Sequence, residues 1–136
     1  MKPLFIDIES TGVDDKDRIV QVAFKFYGYL FDDRHISNCQ FVNFFRPPVP
    51  ITIDAMSITH ITNEMVADKA PFIGSDGFKV LEREFVDSNT VLVAHNAPFD
   101  MKFLAREGLK LPEKYICTMK IAHHHDTEAK LDKYNL

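Results

Sequence analysis

Residues 90 to 95, "TVLVAH", form an unbroken apolar run of strand length, and runs of this kind lie in the covered middle of a sheet. The rest of the chain must therefore supply strands beside it and helices over it. Before it come three stretches with strand character. Leu4 to Ile8 reads as a short strand that ends at "STG" (10–12), where Gly12 permits a turn. "RIVQVAFKFYGY" (18–29) and "CQFVNFFR" (39–46) are rich in β-branched and aromatic side chains and read as two further, antiparallel strands, with "LFDDRHISN" (30–38) as the polar turn between them. The proline-rich "RPPVPI" (46–51) ends the third strand because proline supplies no ladder donor.

The texture after residue 51 is helical. Asp54 and Thr62 are expected to cap two short helices in "DAMSITHITNEMVADK". Phe78, Leu81, Phe85 and Val86 recur at helical spacing in one amphipathic helix over 74–87. After the apolar run, "APFDMKFLAREG" reads as a helix, with Pro98 in its first turn, Phe99, Phe103 and Leu104 on one face, and Gly108 as its stop. "KYICT" is a further short strand, and "MKIAHHH" and "AKLDKYNL" begin two more helices. Strands first, then alternating helix and strand, predict an α/β fold: a mixed sheet of about five strands, the first three antiparallel, flanked by helices.

Composition bounds what such a fold does. The 136 residues, 46% hydrophobic with twelve phenylalanines, suit one domain that buries roughly two thirds of its unfolded surface. A net charge of −4 argues against a broad basic face for duplex binding, yet an acidic site still grips a nucleic-acid end through cations. Cys39 and Cys117 form no CxxC pair, which fits a reduced, cytoplasmic setting without structural zinc or disulfides. The opening residues are too short and too soon acidic for a signal peptide, and no run reaches membrane-spanning length.

The chemistry concentrates in three acids. Asp7 and Glu9 stand two apart on the first strand, so they leave one face roughly 6.5 to 7 Å apart. Asp100 follows the 90–95 strand near the start of a helix, and if strands 4–8 and 90–95 are neighbours it converges on the pair. Three carboxylates offer hard oxygen ligands suited to Mg²⁺ or Mn²⁺, and two such ions about 3.5 to 4 Å apart promote phosphodiester hydrolysis. Each acid also has an ordinary explanation: DxE is common by chance, and Asp100 near a helix N-terminus is favoured by the dipole. The three consecutive histidines at 123–125 point in different directions from a helix and are expected to form a solvated end, not a metal site.

Taken in order, these segments resemble the DEDD superfamily of 3'-5' exonucleases in its DnaQ-like, histidine-containing form, particularly the epsilon proofreading subunits of bacterial DNA polymerase III. "FIDIESTG" resembles the first exonuclease motif, which implies that Asp7 and Glu9 are catalytic metal ligands and that Ser10, Thr11 and Gly12 lie against the terminal nucleotide. "VLVAHNAPFDMKFL" resembles the second motif, which implies Asp100 as a further ligand, with Asn96 and Phe99 next to substrate. "AMSITHITNEMV" is similar to a segment that ends in a His-Gly-Ile-Thr-like stretch. Here Thr59 and His60 occupy it, so the family's nucleotide-contacting histidine is replaced by Thr59 or displaced by one position to His60.

The resemblance implies a ribonuclease H-like fold and a metal-dependent exonuclease acting on single-stranded DNA or RNA 3' ends in proofreading or repair, with two Mg²⁺ or Mn²⁺ ions and a DNA polymerase subunit as partner. The third motif, a histidine with the fourth acid five positions on, has no match: His123 and Glu128 have the interval but the wrong acid. Residues 1–136 are thus expected to be one exonuclease domain lacking its C-terminal helices, with the base beyond Leu136 and little activity in these residues alone. Two rivals stand beside this. One is a catalytically incomplete nucleic-acid-binding or polymerase-associated module of the same fold. The other is a haloacid-dehalogenase-like phosphatase, whose DxDxT opening "DIEST" resembles, although Glu9 stands in place of its second aspartate.

Overall fold

The computed structural model describes residues 1–29 and 36–126. Its five strands are β1 (Lys2–Ser10), β2 (Ile19–Tyr29), β3 (Ile36–Phe44), β4 (Thr90–Ala94) and β5 (Lys114–Cys117). They form one mixed sheet in the order β3-β2-β1-β4-β5. β1, β2 and β3 are antiparallel neighbours, whereas β4 runs parallel to β1 and β5 parallel to β4. The chain thus winds to one side of β1 and then to the other. Ligands of open α/β sheets bind at such a reversal, outside the carboxyl ends of the strands.

The helices are α1 (Ile53–Thr59), α2 (Asn63–Val66), α3 (Asp76–Phe85), α4 (Ala97–Arg106) and α5 (Thr118–His125). Period-two alternation on β1 sends Leu4, Ile6 and Ile8 into the main core, where they meet Leu81 and Phe85 of α3 and Phe103 and Leu104 of α4. β4 is buried at every position, as its apolar run requires. A second small cluster, Val20, Ile51, Ala55, Ile61 and Val66, seats α1 and α2.

Several local expectations need correction. α1 is capped by Thr52, not Asp54: the Thr52 hydroxyl accepts from the Ala55 N–H at 3.2 Å, and Asp54 sits in the first turn, where its charge suits the dipole. Thr62 caps α2 as expected. Val86 falls just past α3, capped by Ser75, and is exposed, leaving Phe78, Leu81 and Phe85 as the packed stripe. β1 extends to Ser10, beyond the apolar run, because ladder pairing to β2 continues through the acids. β3 starts at Ile36, so 36–38 belong to the ladder and not to the polar turn. The remainder of that turn (30–35) and the helix expected at 129–136 lie outside the described residues.

Past α4, Glu107 is buried and takes both guanidinium branches of Arg18, Nε at 2.9 Å and Nη2 at 2.8 Å. This fork ties the start of β2 to the end of the Asp100 helix. Glu107→Ala strands the Arg18 charge and is expected to cost about 3 kcal/mol, read as a lower urea midpoint at unchanged slope. A loss below about 0.5 kcal/mol would show that the fork adds nothing.

Candidate active site

β1 carries the first two acids to the reversal point. Asp7 pairs in register with Ala23 and Glu9 with Gln21, so both leave the sheet face opposite the Leu4, Ile6 and Ile8 core stripe. The β1–β2 register slips between Glu9 and Ser10, a bulge that redirects the chain beside the second acid. Parallel pairing of β1 with β4 brings the end of β4 alongside, and the next turn enters α4 through Asn96, whose left-handed backbone (φ 55) an asparagine tolerates. Asp100 sits in the first turn of α4, 4% exposed, and its Oδ1 accepts from the Ile8 N–H at 3.2 Å. The strand-neighbour condition that made the three acids converge is therefore met.

Asp7, Glu9 and Asp100 line one cavity of about 550 Å³ together with His95, Asn96, Phe99 and Thr118. Their electrostatics show a surplus of negative charge. Burial pushes the Asp100 carboxyl up to about 7, with Asp7 and Glu9 adding to the rise. Desolvation by the cavity walls also raises Asp7, against the pull of His95, and raises Glu9, with Asp7 reinforcing it. Among the described residues no three His, Cys, Asp or Glu side chains form a closed metal-binding cluster. Like charges repel, and one Asp100 oxygen is engaged by Ile8 N–H. The all-oxygen donor set, the shared cavity and the raised carboxyl pKa values fit hard divalent cations, which would relieve that charge.

The expected substrate residues divide. Ser10, Gly12, Thr59 and Phe99 line a groove of about 260 Å³ that begins at Glu9 and runs along α1, with Val13 and Ile58 exposed on its rim. Thr11 lies behind it. It is fully buried, and its hydroxyl donates to Asp17 Oδ1 at 2.7 Å and accepts from the Arg18 N–H at 3.0 Å. Of the two positions at the His-Gly-Ile-Thr-like stretch, Thr59 is on the groove, while His60 is the exposed left-handed C-cap of α1 (φ 59). Asn96 lines the acid cavity. The histidines 123–125 are exposed on α5.

The sequence reading passed over His95 and Thr118. The His95 Nδ1 lies 2.9 Å from Thr118 Oγ1, and both side chains line the acid cavity. Their signal was positional: each directly follows a parallel strand, β4 or β5, at the carboxyl ends of the strands, outside which ligands bind.

This sheet order, with acids gathered at the carboxyl ends of β1 and β4, defines a ribonuclease H-like protein. The chain belongs to the exonuclease family RNase_T, whose model matches residues 4–135. It is 35% identical over 118 residues to the DNA polymerase III subunit epsilon of Treponema pallidum, an alignment covering 85% of this chain and 49% of that protein. It is 30% identical over 130 residues to the epsilon subunit of Rickettsia felis, covering 93% of this chain and 53% of that one. The chain thus spans about half the length of these relatives. Among solved structures it is similar to exonuclease X in complex with 5' overhanging duplex DNA, at 32% identity and a TM-score of 0.62, covering 98% of this chain and 68% of that one. Product-bound exonuclease I, at 17% identity and a TM-score of 0.69, shares the fold over 89% of this chain and 30% of its own.

Proposed function

We propose that this chain is the nuclease unit of a metal-dependent 3'-5' exonuclease that hydrolyses phosphodiester bonds at single-stranded 3' ends in DNA proofreading or repair. The observation that carries this reading is the meeting of Asp7, Glu9 and Asp100 on one cavity, next to a groove of about 260 Å³ that shares Glu9 and Phe99 with it. Asp7, Glu9 and Asp100 would hold two Mg²⁺ or Mn²⁺ ions. When bound, such ions lower the pKa of water and balance charge on the leaving oxygen.

The chain's own residues bind and orient. Ser10 and Gly12 line the groove, Phe99 offers an apolar face to a sugar or base, and Thr59 and Asn96 border the strand's path. The family's third motif, which would supply the proton-accepting base and the fourth acid, has no match within residues 1–136. The epsilon relatives support a polymerase subunit as partner and a cytoplasmic location. Among the described residues no helix is long and apolar enough to cross a membrane.

The test is the product pattern. In Mn²⁺ a chain that includes the third motif is expected to shorten a 5'-labelled single strand one nucleotide at a time, and to release labelled mononucleotide at once from a 3'-labelled strand, whereas residues 1–136 alone should bind the strand and cleave little. EDTA should stop both. Release starting from the 5' end would overturn the direction. Mn²⁺-dependent retention of the strand without cleavage by the chain that includes the third motif would favour the binding-module alternative.

A further inference from the structure

Seven residues separate Glu9 from Asp17, and the segment between them forms one wall of the nucleotide groove through Gly12, Val13 and Asp14. "VDDKD" (13–17) closes a local turn, Asp17 N–H donating to Asp14 O at 3.1 Å, but one such bond does not fix where the turn sits against the groove. Two side chains hold it. The first is Asp17, 2% exposed, whose Oδ1 accepts from Thr11 Oγ1 at 2.7 Å and whose Oδ2 accepts from the Asp14 N–H at 2.8 Å. The carboxylate packs so closely under the loop that a Cβ at Gly12 would lie 2.5 Å from Asp17 Oδ2. Glycine is required there by space, not by backbone angle.

The second is Arg106, in the last turn of α4. Its Nη1 donates to two loop carbonyls, Asp14 O at 2.9 Å and Asp17 O at 2.6 Å, while its guanidinium covers the Phe103 ring at 4.7 Å. The salt bridge from its Nη2 to the exposed Asp15, at 3.5 Å, adds little. The helix that delivers Asp100 to the acid cavity therefore also fixes, six residues later, the loop that follows Glu9. Thr11 completes the frame: its N–H donates to Arg18 O and its carbonyl accepts from Thr52 N–H, both at 2.9 Å, so the opposite, α1 wall is tied to the same point.

We infer that Arg106 and Asp17 are positioning residues, which clamp the 12–17 loop as a wall of the nucleotide groove and so govern grip on the strand while leaving the metal ligands untouched. Neither side chain belongs to the acid cavity. The inference rests on the nucleotide-binding reading of the groove given above. A preformed wall saves the ordering cost that a loose loop would incur on binding, and the two charge-assisted bonds from Arg106 are what preform it.

The experiment compares the full chain with Arg106→Met, which keeps an unbranched side chain beside Phe103 and deletes the guanidinium donors, and with Arg106→Lys. Three readouts are taken: amide hydrogen exchange of residues 11–18, Mn²⁺ affinity, and the Kd for a single-stranded 3'-end oligonucleotide in Ca²⁺. Arg106→Met is expected to speed exchange across the loop and to raise the oligonucleotide Kd about tenfold, with Mn²⁺ affinity within about twofold of wild type; Arg106→Lys should recover part of both changes. A parallel loss of Mn²⁺ affinity would mean general destabilisation and would overturn the clamp, as would unchanged exchange and Kd. If the wild-type chain binds Mn²⁺ but no oligonucleotide, the substrate reading itself fails and the clamp has no groove to serve. Asp17→Asn serves as the second variant: it keeps an acceptor for Thr11 but sets a donor against the Asp14 N–H, and should loosen the loop at that end alone.

Discussion

In a chain that includes the third motif, Asp7→Ala is expected to lower Mn²⁺-dependent release of nucleotides from a 3'-labelled strand on the order of a thousandfold or more, while leaving the fold in place. Both halves follow from the position of Asp7. Its backbone is paired to Ala23 on one side of β1, and those ladder bonds do not involve the side chain. The side chain is exposed to the cavity, so its removal should not destabilise the fold, and at neutral pH should if anything stabilise it. Removal also relieves Asp100, whose raised pKa owes part of its rise to the Asp7 charge. What is lost is one of three hard-oxygen donors, and with it the charge that would hold a cation beside Glu9. Asp68→Ala, at an exposed acid far along the chain that pairs, among the described residues, with its neighbour Lys69, is the control. Undiminished release by Asp7→Ala, with Asp68→Ala unchanged, would remove Asp7 from the mechanism.

The parts of this site that could be read from sequence are those fixed by local periodicity. Two residues apart on a strand means one shared face, and that alone put Asp7 beside Glu9. The burial of β4 followed from its unbroken apolar run, and Pro98 and Gly108 bracketed α4. The convergence of Asp100 was conditional, because strand order is a long-range property: only the parallel β1–β4 ladder makes the two carboxyl ends adjacent. Thr11 illustrates the opposite case. Its neighbours in the motif placed it on substrate, yet its hydroxyl, N–H and carbonyl are all consumed by Asp17, Arg18 and Thr52, partners that come together only when the loop closes. Asp54 lost the cap to Thr52 for a related reason. Both are good cap residues, and the Thr11–Thr52 backbone bond, a tertiary contact, decides which one sits at the helix entrance.

Asp100 makes the chain's stability depend on pH in a direction opposite to that of a salt-bridged aspartate. Its carboxyl is pushed up to about 7 in the folded chain from the ordinary aspartate value of 3.8, so between those values the unfolded chain has given up the proton and the folded chain still holds it. Folding there requires proton uptake. The Asp100 contribution to stability is therefore fully present below about pH 4, falls through the interval, and is lower by about 4 kcal/mol once the pH exceeds 7. Asp7 and Glu9, both raised, act in the same sense. Asp100→Asn resembles the protonated form and keeps an oxygen for the Ile8 N–H, so in EDTA its urea stability should stay nearly level from pH 5 to pH 8 while the wild type drops. Addition of Mn²⁺ at pH 8 should return stability to the wild type, about 2.7 kcal/mol at one hundred times the dissociation constant, and return little to the variant, which lacks the third carboxylate. Removing the cation would then cost most at the alkaline end, where three ionised carboxylates share one cavity. Parallel pH profiles for wild type and Asp100→Asn in EDTA would mean that this carboxyl is not held protonated, and equal Mn²⁺ stabilisation of the two would mean that it is not a ligand.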